Sequence, residues 1–322
     1  MPGPRDEPLQ PSGWFFLHNH QRQVRLRASS HDRLLILTKL GNVKRKRMIG
    51  KRIPDQPYPD LREVLDIFVS DLERELSDNL VGVYLVGSLA TGDFDADSDV
   101  DFLVVIRNEL SESHRDHLQQ IQEKMYEMDS YPAKHLEGSY ISIHDLHDWS
   151  TVGKKAIFYF DNGSTTPEFS VHDNNWHVRW VLRERGIVLA GPEPHTILTP
   201  IPRDNVRYEM KTTMRQILTL YEHAITQPVQ FLNSQFGQSF LVLTYCRMLH
   251  TIHTGEVRSK KAGAEWAVKI VAPEWRGLID QAWKDREGVR FGLKIQRRAD
   301  DQWLMTTLEF MKYAIALAET EE

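Results

Sequence analysis

A chain of 322 residues with 41% hydrophobic content can bury one large core or two ordinary ones, and its length favours two domains. No stretch approaches the roughly 18 consecutive apolar residues of a membrane helix, and no export signal is recognisable, so we expect a cytoplasmic protein without a membrane partner. Cys246 is the only cysteine, which excludes an intramolecular disulfide and a cysteine-based zinc site.

The net charge of −5 is unevenly distributed along the chain. Residues 1–52 hold 12 Lys and Arg against 3 Asp and Glu, so residues 53–322 carry a net charge of −14. An acidic body repels nucleic-acid phosphates, which argues against DNA or RNA as a partner. We expect residues 1–52 to form a basic, disordered tail, and Met48 is a possible alternative start of translation.

Beyond the tail, the predicted elements divide the chain in two. Predicted helices at residues 60–80, 111–128 and 174–184 alternate with predicted strands at 81–86, 99–106, 137–143, 154–160 and 186–192. After Pro200 and Pro202, helical patterns follow at about 205–225, 236–253, 260–271, 275–283 and 302–318. We therefore predict a mixed α/β domain at 53–199 and an all-α domain at 200–322.

The most informative stretch runs from Val81 to Ile106. Its first apolar run ends at Gly87, whose missing side chain lets another group approach the backbone, and Ser88 adds a hydroxyl and an amide. The second run begins with Asp-x-Asp. Because side chains alternate along a strand, Asp99 and Asp101 share one face while the residues between them face the core.

Two carboxylates side by side at the start of an apolar strand repel one another, so a cation is expected between them. Mg²⁺ fits, because it is commonly held by one or two carboxylates while substrate phosphates and waters complete its shell. Taken singly, these residues also suit a tight turn and a solvated loop, but their joint spacing favours a nucleotide and metal site. His144 and His147 form a weaker candidate, because a pair of this kind in a polar loop is usually solvated.

The complete pattern, Gly-Ser-x3-Gly-x5-Ser-Asp-x-Asp, resembles the signature of the DNA polymerase β-like nucleotidyltransferase superfamily. It is matched without a gap at Gly87, Ser88, Gly92, Ser98, Asp99 and Asp101. It is neither a Walker loop nor a dinucleotide fingerprint. The resemblance implies a catalytic domain built on a mixed sheet with flanking helices. It also implies that Gly87 and Ser88 contact ATP phosphates and that Asp99 and Asp101 hold Mg²⁺.

The later chain narrows the family. Arg247, Thr254-Gly255, Lys260 and Ala264–Ala267 resemble the C-terminal helical domain of the aminoglycoside adenylyltransferases that modify streptomycin and spectinomycin, and the similarity covers about residues 60–318. This resemblance implies a Mg-dependent, antibiotic-resistance type of enzyme that moves AMP from ATP to a hydroxyl of a small molecule. Glu137 would then be the general base, and Arg247, Lys260 and Tyr313 would close over the triphosphate.

The acceptor stays open at this point. A protein or a non-aminoglycoside metabolite are alternatives, and so is a nucleotide-binding regulatory protein without turnover, although the presence of both motif aspartates disfavours it. Residues 223–255 contain no Asp or Glu, whereas the streptomycin enzymes use acids in that segment to bind a polycation. The catalytic domain could supply Asp145, Asp148, Asp161 or Asp173 instead. We therefore expect a less cationic acceptor and poor use of streptomycin, and we expect Phe236 and Phe240 to pack in the helical core.

Overall fold

The structure is a computed structural model that describes residues 53, 56–96, 98–286 and 297–320. The predicted basic tail at residues 1–52, including Met48, lies outside the described residues. Among the helices that are described, none combines the length and the apolarity needed to cross a membrane.

The first part of the chain forms a six-stranded mixed sheet with flanking helices. Its strands are β1 (Leu80–Leu85), β2 (Val100–Ile106), β3 (Leu136–Ser142), β4 (Ile157–Phe160), β5 (Glu168–Ser170) and β6 (Ile187–Ala190). Its helices are α1 (Leu61–Leu76), α2 (Gly87–Thr91), α3 (Glu112–Tyr126), α4 (Tyr131–Lys134), α5 (Ile143–His147), α6 (Trp176–Arg185) and α7 (Pro194–Ile197). This architecture is the predicted one.

The strand order is β5-β4-β3-β2-β1-β6, and only β2 and β3 pair in parallel. A parallel pair needs a crossover, which α3 and α4 provide here. The register places Val100 opposite Leu136 and Asp101 opposite Glu137. Both strands therefore begin at the same edge of the sheet, and their first polar residues lie side by side.

Apolar side chains cover both faces of this sheet. On one face, α1 buries the helical stripe that contains Leu65 and Phe68 against Phe102. On the other face, Tyr84 and Leu103 pack with Trp180 of α6. The strands are thus buried on both sides, which explains why they read as nearly continuous apolar runs in the sequence.

The second part of the chain is helical, as predicted. It contains α8 (Arg203–Ala224), α9 (Gln235–Thr254), α10 (Lys260–Ile270), α11 (Pro273–Arg286) and α12 (Asp301–Glu319). Tyr221, Tyr245 and Phe310 lie fully buried at its centre. Val206 and Val257 instead pack into the sheet-side cluster, so side chains beyond residue 200 help to cover the sheet.

Three local expectations differ from the structure. The Gly-Ser turn begins a short helix, α2, and strand β5 carries no signal that we recognised. The segment around His144 and His147 is not a polar loop but helix α5, capped by the Ser142 hydroxyl. Its acid, Asp145, pairs with Lys155 at 2.7 Å.

Candidate active site

Asp101 and Gly87 are in close contact at the sheet edge. A Cβ atom added to Gly87 would lie 1.8 Å from Asp101 Oδ2, and the Gly87 backbone has a φ of +56°. Both facts require glycine, because a side chain would collide with the carboxylate and the left-handed φ would be strained. The predicted turn thus brings its backbone against the second aspartate of the motif.

Asp99 is held by a residue that the motif does not contain. Asn162, just beyond β4, donates a hydrogen bond from Nδ2 to Asp99 Oδ1 at 2.6 Å. The amide oxygen of Asn162 lies 2.7 Å from Nδ1 of His135. Asp99 is therefore oriented by a residue that follows β4, a strand that does not pair with β2.

The charged forms of Asp99 and Asp101 are destabilised in the absence of a neighbouring cation. Burial and the charge of Asp101 raise the pKa of Asp99 to about 7, and burial and the charge of Asp173 raise the pKa of Asp101 to about 6. No group of three or more His, Cys, Asp or Glu side chains forms a complete metal cage in the described part of the chain. Two half-buried carboxylates still fit Mg²⁺, since this ion commonly takes its other ligands from phosphates and water.

Ser88, next to Gly87, contributes a hydroxyl that forms no hydrogen bond with the described residues. Its Oγ is buried. The backbone of Ser88 interacts with the Asp101 carboxylate and lowers its pKa, against the larger effect of burial. An orphaned hydroxyl beside paired carboxylates is suited to an oxygen-rich ligand such as a phosphate.

Glu137 lies on the same edge, as its place in the sequence predicted. Its Oε1 accepts a hydrogen bond from the Tyr159 hydroxyl at 2.6 Å. Burial raises the pKa of Glu137 well above its usual value, and the charges of Asp101 and Asp99 raise it further. The carboxylate cluster, defined as Asp99, Asp101 and Glu137, is thus one electrostatic unit.

The helical region directs two cations towards this cluster. Lys260 at the first turn of α10 places its ammonium 4.2 Å from the centre of the Phe240 ring. Burial and the charge of Arg247 lower the pKa of Lys260 to about 7, while Asp99 and Asp101 act in the opposite direction. Burial also lowers the pKa of Arg247, which Asp101 opposes. Both predicted cations therefore interact electrostatically with the aspartates.

Gly263 allows the two cations to come together. A Cβ atom at this position would lie 2.6 Å from the Cα and 2.8 Å from the backbone nitrogen of Arg247. Backbone atoms cannot move aside as a flexible side chain can. The absence of a side chain at Gly263 therefore lets α10 lie against α9 at the level of Arg247.

An interdomain clamp joins the helical region to the loop before β2. Ser259, the N-cap of α10, donates a hydrogen bond to Asp93, and Arg286 at the end of α11 pairs with Asp95. The second Arg286 nitrogen donates to Asp95 at 3.2 Å. The clamp, defined by these four residues, fixes the helix that carries Lys260 against the catalytic loop.

The helical region also contains the predicted core residues Phe236 and Phe240 and the predicted ATP ligand Tyr313. Phe240 is partly buried and packs against the helical core as predicted, and Lys260 lies over its ring, whereas Phe236 is partly buried in an aromatic group with Phe240. Tyr313 accepts a hydrogen bond from the Ala272 amide at 2.9 Å, and its ring lies against Trp275. Neither contact joins Tyr313 to Lys260 or Arg247, and its role towards ATP stays a prediction.

Comparison with known proteins adds two family models. The nucleotidyltransferase domain matches residues 62–146, and the C-terminal domain of aminoglycoside adenylyltransferases matches residues 196–312. The first match contains Gly87, Asp99 and Glu137, and the second contains Arg247 and Lys260. The two models together thus include both sides of the site.

Similar proteins carry related names. A spectinomycin 9-adenylyltransferase of Staphylococcus aureus is 28% identical over 272 residues, covering 80% of this chain and 90% of the relative. An aminoglycoside (3'')(9) adenylyltransferase of Klebsiella pneumoniae is 22% identical over 225 residues, covering 66% and 80%.

A similar fold occurs in a solved structure, that of an Enterococcus spectinomycin adenyltransferase with ATP and spectinomycin. It has a TM-score of 0.61 at 18% identity and covers 79% of this chain and 98% of that one. The matched domains, the similar proteins and the shared fold agree, and together they support an aminoglycoside adenylyltransferase-like nucleotidyltransferase.

Proposed function

We propose that this chain transfers AMP from ATP to a hydroxyl of an aminoglycoside-type acceptor in the cytoplasm, with spectinomycin as the first candidate. The observation that carries the proposal is the electrostatic interaction of Lys260 and Arg247, on the helical region, with the aspartates of the catalytic sheet. The names of the similar proteins support the acceptor class.

Asp99 and Asp101 would hold Mg²⁺, with Asn162 and Gly87 fixing the two carboxylates. When bound, this ion would neutralise charge on the phosphates and orient the nucleotide. The unpartnered Ser88 hydroxyl lies beside the same carboxylates and would bind a phosphate oxygen.

Lys260 and Arg247 would bind the pyrophosphate end of ATP. A phosphate chain supplies the anionic partner that a partly buried lysine needs, so the ammonium would stay protonated in the complex. In phosphoryl transfer the protein contributes mainly position and charge, and two cations on the leaving group serve that purpose.

Glu137 would take the proton of the attacking hydroxyl. Burial raises the pKa of Glu137 above its usual value, which makes the carboxylate a stronger base. Its place opposite Asp101 keeps it beside the nucleotide site without making it part of the aspartate pair.

The side chains around the site favour an acceptor of modest charge. Phe231, Phe236 and Phe240 form an aromatic group on the helical region, with ring centres 5.4–6.4 Å apart. Acids near the site come from the catalytic side, at Asp161 and Asp173, whereas Asp145 is engaged with Lys155. Such a surface suits spectinomycin better than streptomycin, whose guanidinium groups need several carboxylates.

The test is pyrophosphate release from ATP and Mg²⁺ with spectinomycin, streptomycin, other metabolites and protein acceptors in parallel. We expect spectinomycin to give AMP-modified product, identified by mass, and streptomycin to be a poor substrate. Modification of a protein or a non-aminoglycoside metabolite alone would replace the acceptor assignment. ATP binding without turnover on any acceptor would favour the regulatory alternative.

A further inference from the structure

Tyr159 on β4 is a buried polar residue that neither the motif nor the matched signature explains. Only 3% of its surface is exposed, and its hydroxyl lies 2.6 Å from Glu137 Oε1 and 3.0 Å from Asp161 Oδ1. A phenol carries one hydrogen, so it donates to one carboxylate at a time. The shorter contact assigns that hydrogen to Glu137.

A chain of contacts holds the Tyr159 ring in place. The ring lies 5.1 Å from the ring of His172, whose Nδ1 lies 3.0 Å from Asp173 Oδ1. The other oxygen of Asp173 accepts a hydrogen bond from Ser139 at 2.7 Å. Ser139 is two residues beyond Glu137 on β3, so the contacts form a closed ring that begins and ends on one strand.

This arrangement distinguishes the two oxygens of Glu137. Oε1 accepts the Tyr159 bond, and no hydrogen-bond donor to Oε2 is found among the described residues. We propose that Tyr159 is a positioning residue that holds Glu137 by Oε1 and leaves Oε2 to receive the proton of the acceptor hydroxyl. This inference rests on the proposed function, in which Glu137 is the base.

The step balances in atoms and electrons. The acceptor oxygen forms a bond to the α-phosphorus of ATP, the bond from that phosphorus to the bridging oxygen breaks, and pyrophosphate leaves with the electron pair. The hydroxyl proton moves to Glu137 Oε2. The Tyr159 hydrogen stays on Tyr159, which separates its role from that of an acid or a base.

The Tyr159 hydrogen bond also sets the basicity of Glu137. A donor to a carboxylate favours its ionised form, so the bond lowers the Glu137 pKa and opposes the effect of burial. Loss of this bond should therefore raise the carboxyl pKa by about one unit.

The test is Tyr159→Phe, with Tyr140→Phe as the matched control. Tyr140 is equally buried but lies on the opposite face of β3, against Phe102 and Phe158. We expect Tyr159→Phe to lower kcat about tenfold near neutral pH, with KM for ATP within about twofold. The acidic limb of its pH–rate profile should move up by about one unit, so that much of the activity returns at higher pH. The control should change neither quantity.

A second readout needs no turnover. The Glu137 carboxyl can be followed by ¹³C NMR in the chain without nucleotide, with Glu137→Gln identifying its signal. Tyr159→Phe should raise that pKa by about one unit. An unchanged pKa with an unchanged pH profile would overturn the assignment of Tyr159, and so would an equal effect of Tyr140→Phe. If the wild-type chain transfers no AMP to any acceptor, the proposed function fails, whereas the NMR titration still decides whether Tyr159 tunes Glu137.

Discussion

Asp101 and Glu137 are register partners on the parallel strands β2 and β3. Residues that pair across parallel strands project their side chains to the same face, so the proposed metal ligand and the proposed base begin from adjacent backbone positions. The two proposed roles nevertheless differ. Substitutions that remove the charge of one carboxylate and keep its volume distinguish a metal ligand from a general base.

Glu137→Gln should leave ATP binding nearly intact and lower turnover by roughly 10² to 10⁴, the usual range for the loss of a general base. Isothermal titration with ATP and Mg²⁺ and steady-state pyrophosphate release measure the two effects. A collapse of ATP affinity together with turnover would make Glu137 a metal ligand instead.

Asp99→Asn and Asp101→Asn should each reduce AMP transfer to background while the fold stays intact, because each removes a carboxylate charge with little change in volume. Circular dichroism melting tests the fold. Asp116→Asn, on the exposed face of α3, is the control for loss of one negative charge. Normal turnover in either motif variant would remove the metal assignment.

Arg286→Ala should weaken ATP binding through the clamp. Arg286 pairs with Asp95 across the domains, and exposed or partly exposed ion pairs contribute up to about 1 kcal/mol, which corresponds to about a fivefold rise in KM for ATP. Arg276→Ala removes an exposed arginine from the same helix and should have no effect. Equal KM values in the two variants would show that the clamp does not act on the nucleotide.

Stability should fall in acid through Asp145. Burial raises its pKa, but hydrogen bonds from Lys155 and Ser142 outweigh burial, and the net pKa lies below the usual value. A depressed carboxyl pKa stabilises the fold above the unfolded value of about 3.9, and this contribution is lost as the pH falls through the lower, folded value.

Asp145→Asn should therefore lower Tm by roughly 2–4 °C or more between pH 5 and 8, the shift expected for about 1 kcal/mol. The difference from wild type should narrow below about pH 4. Melting curves at matched ionic strength measure it, with Asp116→Asn as the control. A difference that stays constant down to pH 2 would show that the charge of Asp145 is not involved.

The sequence predicted those parts of the site that depend on local pattern. The positions of Asp99 and Asp101 follow from strand alternation, and the helix that contains Lys260 follows from its apolar spacing. The residues that hold these groups were missed because their contacts are distant in the chain. Asn162 lies 63 residues from Asp99, and Arg286 lies 191 residues from Asp95.

Phe240 illustrates a different limit of sequence reasoning. Helix α9 is apolar around most of its circumference, so its spacing does not reveal which face meets the core. The neighbour that the spacing does not predict is Lys260 of the next helix, whose ammonium lies over the Phe240 ring. Phe240 packs against the core and also lies beneath a cation, and only the first of these can be predicted from the apolar pattern of the helix.

The close approach at Gly263 has a consequence for how the cleft opens. Because the backbones of α9 and α10 are in close contact there, we expect Arg247 and Lys260 to move together. A movement of the helical region away from the sheet would therefore take the charges of Arg247 and Lys260 away from the aspartates together. Under the proposed function, pyrophosphate would then lose both cations at once, and its release would be coupled to that movement.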